Sequence, residues 1–212
     1  MYAPLISPNG QIPTLSAELV PSDCWVSTVR SYLSEHYWRK LSTAVAEQAQ
    51  RRCEICSGRG RQHAVECHEV WGYDDDIHLQ GLLRLQALCP LCHRVKHLGR
   101  SIEFGYEEEV LGWLARVNGW DARTTNWYVD AVFTQCHERS RHEWALDLTT
   151  LGENYEISLE RLELPRYTIL AVERRQLLHH REISIEDIYD RNGNQVSTPG
   201  PRHPLSTRKE GF

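Results

Sequence analysis

Apolar and polar positions alternate along this chain in a way that predicts helices first, then a strand pair, then helices again. Ser22 or Asp23 caps a short helix running to about Leu33. Ser34 caps a second, in which Tyr37, Leu41, Val45 and Ala49 recur at helical spacing. AVECHEVWGY, residues 64–73, reads as a strand, and the stretch from Ile77 to Leu88 as a second strand joined to it through the YDDD turn. A helix is expected from about His93. Two more follow over Tyr106–Asn118 and Thr124–Arg141, with Gly119 breaking between them. HEWALDL alternates as a further short strand, and the ERLELPRYTILAVERR stretch beyond it carries less pattern.

The expected class is α+β: a small strand-strand-helix core flanked by helices. Residues 1–50 would form an N-terminal arm and helices, 51–100 the core, 101–150 a helical cover with a strand, and 151–212 a C-terminal extension. Four prolines and a PNG turn in residues 1–21 predict an extended arm, either packed on the body or trailing from it. The last twenty or so residues, ending STPGPRHPLSTRKEGF, are expected to be disordered. Trp71, Trp113, Trp120, Trp127 and Trp144 read as core residues.

Composition sharpens this only in part. With 41% hydrophobic and 25% charged residues the chain is expected to fold. It has no apolar run long enough for a membrane span and no export signal in MYAPLISPNG, so a cytoplasmic protein without a membrane partner is expected. The formal charge of −5 argues mildly against nucleic acid. The positive charge is nevertheless local: Arg39, Lys40, Arg51, Arg52, Arg59 and Arg61 fall in one stretch, and Arg94, Lys96 and Arg100 follow Cys92 closely.

The cysteines change the picture most. Cys53 and Cys56 form one CxxC pair and Cys89 and Cys92 another, with 32 residues between them. Four thiolates at that spacing converge on a tetrahedral structural zinc ion, whose binding energy becomes folding energy for a core too small to hold itself. Between and after these pairs lie ECHEVW, with Cys67 and His68, and CHRVKH, in which His93 and His97 sit four apart on one helix face.

CxxC, a His-bearing strand, then CxxCHxxxH resembles the HNH (His-Asn-His, ββα-metal) nuclease family over about Arg51–Arg100. The wider string CEIC, ECHEVWGYDDD and ALCPLCHRVKHLG is similar to a zinc-stapled bacterial group of it that continues into a segment like His142–Asp147. The resemblance implies a metal-dependent endonuclease that hydrolyses DNA, with RNA as a further possible substrate. It implies His68 as general base, and one catalytic divalent ion (Zn2+, Ni2+, Mn2+ or Mg2+) held by His93, His97 and, in the place of the family's Asp or His, Cys67. Arg84 falls where the family carries its middle Asn, so that residue's bracing of the site would pass to others such as Gln80 or Gln86. Arg59, Arg61, Arg94, Lys96 and Arg100 would hold phosphates. The competing reading is a catalytically inactive zinc module that binds nucleic acid or protein.

Overall fold

The computed structural model describes residues 5–25, 28–60, 64–157 and 168–169. Arg61, the tail expected to be disordered, and all of the 160–175 stretch except residues 168–169 lie outside them. The architecture is α+β.

Residues 5–21 form an extended arm without helix or strand, and it packs rather than trails: Leu15 is fully buried. Where one short helix is expected over 22–33, the chain makes a 3-10 turn at Ser22–Cys24 and then α1 (Val29–Tyr32), capped by the Thr28 hydroxyl. Ser34 caps α2 (Glu35–Gln48) as expected. Its inward stripe is Trp38, Leu41, Val45 and Ala49; Tyr37, expected on that stripe, is 61% exposed.

β1 (Glu66–Asp74) and β2 (Leu79–Leu88) pair antiparallel, with a register shift at Val70/Trp71. α3 (Pro90–Lys96) starts one turn earlier than the sequence suggests, because Pro90 occupies its first position. Proline suits that position, where its fixed φ is helical and its missing N–H is not needed. α4 (Leu98–Glu103) follows directly, then α5 (Glu107–Asn118), which ends at Gly119 in the left-handed conformation that favours glycine. α6 (Ala122–Arg139) is capped by Asp121. It buries Thr125, Tyr128 and Val132, whereas Trp127, expected in the core, is 46% exposed.

β3 (Ala145–Asp147) joins the edge of β2 in parallel, so HEWALDL is part of the same sheet rather than of a separate cover. α7 (Thr149–Tyr155), which the sequence does not announce, packs against β2, and β4 (Thr168–Ile169) completes the order β1-β2-β3-β4.

The two faces of the strand pair bury different things. Trp71, Tyr73, Leu82, Leu85 and Ala87 enter one apolar cluster with Trp144, Leu146 and α2. Leu88 enters a second with Leu15, the cysteine knuckles, α3, α5 and α6. Since side chains alternate along a strand, residues 67, 69, 71 and 73 share the first face, and 66 and 68 the other. Among the described residues, no helix is long and apolar enough to cross a membrane.

Candidate metal centres

The turn after Cys53 and the start of α3 bring Cys53, Cys56, Cys89 and Cys92 together, all as free thiols, with their sulfurs within 4.8 Å of one another. Cys56 and Cys89 Sγ are 3.6 Å apart. Two thiolates on a tetrahedral ion with Zn–S bonds of ~2.3 Å lie ~3.8 Å apart, so the sulfurs fit a structural metal. Hydrogen bonds from Cys89 and Cys92 pull the Cys53 thiol far down, and the same hydrogen bonds to Cys53 push the Cys89 and Cys92 thiols up. The Trp113 indole N–H donates to Cys92 Sγ at 3.2 Å, so this tryptophan does more than fill the core.

A second group forms on the other side of α3. His68, His93 and His97 offer ligand nitrogens within 4.8 Å of one another, and their rings stand edge to face with centroids 4.8–5.2 Å apart. His93 and His97 Nε2 are 3.1 Å apart, close to the ~3.3 Å that separates two nitrogens bound to one tetrahedral ion at ~2.0 Å. The donor set therefore fits a divalent ion of the zinc, nickel or copper kind, for which imidazole is a good ligand.

A carboxylate stands behind two of the three rings. His93 Nδ1 is hydrogen-bonded to the Glu66 carboxylate, and His68 Nε2 lies 3.2 Å from Glu18 Oε2. Burial lowers the pKa of His68 despite the hydrogen bond to Glu18. Desolvation and the adjacent His93 and His68 lower His97 to about 3. Both rings are thus neutral, the form that ligates, at physiological pH.

Cys67 does not join them. As the neighbour of His68 on a strand it points to the opposite face, against the first apolar cluster, where burial pushes its thiol up to about 12. The strand's contribution to the histidine group is His68, and the assignment of Cys67 as a ligand is corrected on that ground.

Arg84 also stands apart from the group: it donates to Glu54 Oε1 at 3.0 Å, while Glu54 Oε2 accepts from the Ala87 amide, a brace for the first knuckle. Of the two glutamines expected to replace the missing Asn, Gln86 lies opposite His68 in the register and is buried; Gln80 donates to the Tyr73 hydroxyl.

The basic residues divide. Arg94 and Arg100 line, with His93, His97, Phe104 and Tyr106, a groove of about 210 Å3 that opens onto the histidines. Arg94 is held there by Glu109 at 2.6 Å and stacks over Tyr106. Arg59 donates to the Gln50 carbonyl, in the loop beyond α2.

Lys96 is not on the rim at all. It is 5% exposed, and its Nζ donates to Glu18 Oε1 at 2.7 Å and to Ser16 Oγ at 2.9 Å. Burial alone would raise the Glu18 carboxyl, but His68 and Lys96 hold it down at about 2. Removing one partner of a buried pair leaves the other uncompensated. Lys96→Met is therefore expected to cost about 3 kcal/mol in urea unfolding at pH 7, and adding Glu18→Gln to recover much of the loss.

Glu69, on the core face beside Cys67, accepts from the Arg30 amide, yet burial raises it from 4.5 to about 7. The folded state thus favours the protonated form. The stability linked to Glu69 is complete below pH 4.5 and lost as pH rises through 7. Glu69→Gln is expected to raise the melting temperature at pH 8 and leave it unchanged at pH 4; an equal shift at both values contradicts this.

Glu18 is the site residue that sequence reasoning misses, since nothing in the arm marks it. No family model, curated protein or solved structure matches the chain.

Proposed function

We propose that the chain is a metal-dependent endonuclease acting on DNA, with zinc in the thiolate site and a second, exchangeable divalent ion held by His68, His93 and His97. The single observation that carries this reading is the convergence of three imidazoles beside a groove lined by Arg94 and Arg100. Three protein ligands leave a position open, which separates catalytic from structural metal sites. A divalent ion there supplies Lewis-acid chemistry, neutralising phosphate charge and lowering the pKa of water.

The protein's own part is positional. His93 on α3 and His97 at its C-cap present their Nε2 atoms side by side; Glu66 holds the first ring. Arg94 and Arg100 are placed to draw a phosphate into the groove. In this reading His68 is a ligand and not the base, because it is only 4% exposed and its ring is shared between Glu18 and the other two histidines. The HNH resemblance supports the reaction class, with His68 rather than Cys67 filling the strand's ligand position.

One observation favours the second reading, a non-catalytic zinc module: Arg84, Arg94 and Lys96 are already engaged by Glu54, Glu109 and Glu18. Nicking of supercoiled plasmid by the zinc-loaded chain, with Mg2+, Mn2+, Ni2+ or Zn2+ added, separates the two. Ion-dependent conversion to open circles supports the nuclease; a chain that binds the second ion and cuts under none of them is the inactive module.

A further inference from the structure

The arm is attached to the body by a run of specific contacts rather than by shape alone. The Leu15 amide donates to Asn118 Oδ1 at 3.1 Å, and Asn118 Nδ2 returns a bond to the Leu15 carbonyl at 2.8 Å. The Ala17 amide donates to the Tyr128 hydroxyl, and the Glu18 amide to the Lys96 carbonyl at 2.8 Å. These anchors fix the backbone of Glu18 against the end of α3 and leave its carboxylate between two buried partners, Lys96 Nζ and His68 Nε2.

An imidazole has two nitrogens, and in its neutral form one donates and the other accepts. A carboxylate against Nε2 accepts a hydrogen bond from the Nε2–H, which leaves the Nδ1 lone pair for another use. Glu18 itself is outside the group of mutually close ligand atoms formed by the three histidines, so it stands behind His68. His93 is arranged the opposite way, with Nδ1 to Glu66 and Nε2 toward His97.

We infer that Glu18 is a positioning residue of the histidine centre: it holds His68 as the Nε2–H tautomer with Nδ1 turned to the ion, and so makes the N-terminal arm part of that centre. The inference rests on the histidine group binding an ion, as proposed above. A carboxylate behind a ligating histidine fixes its tautomer and ring and raises its basicity, and losing such a partner typically weakens metal binding ~10–100-fold. The ion affinity of the core thus depends on a residue 50 positions upstream of the ligand it orients.

The test uses the full chain with zinc in the thiolate site. Ni2+ is titrated calorimetrically into wild type, Glu18→Ala and Glu18→Gln, and the His68 tautomer is read from long-range proton–nitrogen correlation in histidine-labelled wild type. The expected results are an Nε2–H tautomer for His68, a Ni2+ affinity lowered ~10–100-fold in Glu18→Ala, and an intermediate value in Glu18→Gln, which keeps an acceptor oxygen but no charge. Retained zinc and unchanged near-UV circular dichroism separate this from a loss of fold. Should Glu18→Ala not fold, the tautomer and the Gln variant still decide.

Wild-type affinity in Glu18→Ala, or a proton on His68 Nδ1, overturns the inference while leaving the histidine centre standing. A wild type that takes up no Ni2+ overturns the centre itself, and that outcome involves no variant.

Discussion

Stripping the thiolate metal is expected to unfold this protein. A strong chelator, or Cys53→Ser combined with Cys92→Ser, is expected to abolish the cooperative thermal transition and the near-UV signal of the buried tryptophans. The reason lies in how little else closes the second apolar cluster. Cys53 and Cys56 lie before β1, Cys89 and Cys92 after β2, and all four side chains belong to or pack on that cluster with Leu88, Val95 and Leu114. Without the ion, four thiols crowd a site within 4.8 Å, and the 32-residue excursion between the knuckles loses its closure. Structural zinc contributes on the order of 10 kcal/mol in small domains, comparable with the whole stability of a typical fold. Re-addition of zinc restores the transition; a chelated protein that melts as before contradicts the structural role.

The second large effect separates the histidines from their neighbouring cysteine. His97→Ala is expected to lose plasmid nicking by at least ~10³-fold, in keeping with removal of transition-state charge stabilisation worth several kcal/mol. Cys67→Ser is expected to nick like wild type, because that side chain lies on the far face of β1 among Ala87, Leu85 and their neighbours. Both variants keep the thiolate zinc, so zinc content and melting temperature verify the fold. Loss of nicking in Cys67→Ser with full zinc content would return that residue to the site.

The pattern of what could be read in the sequence follows from the range of each signal. The thiolate site was legible because two CxxC pairs are short-range and chemically specific. His93 and His97 were legible because a four-residue step on a helix fixes a shared face. The alternation rule applies equally to β1, where it sends the adjacent Cys67 and His68 to opposite faces of the sheet. The structure resolves the choice through the tryptophan and tyrosine at 71 and 73, which commit the odd positions to the first core.

Glu18 and Lys96 were not legible. They meet across 78 positions, and the arm that carries Glu18 has no periodicity to say where it docks. Lys96 looked like one more basic residue after the second knuckle, and only the partner delivered by the arm explains its burial. Likewise Tyr37 and Trp127 carry helical spacing but sit on outward faces, since periodicity gives the stripe without saying which stripe the neighbours cover. The parallel pairing of β3 to β2 depends on the long path through α3 to α6, which no local pattern encodes.

The imidazole centre is tested most directly by X-ray absorption at the nickel edge, on the full chain with zinc kept in the thiolate site and one equivalent of Ni2+ added. Coordination by His68, His93 and His97 predicts a nitrogen and oxygen shell at ~2.0–2.1 Å with imidazole outer-shell scattering and no sulfur, unchanged in Cys67→Ser. A sulfur shell that disappears in Cys67→Ser, or nickel with no imidazole scattering, contradicts it.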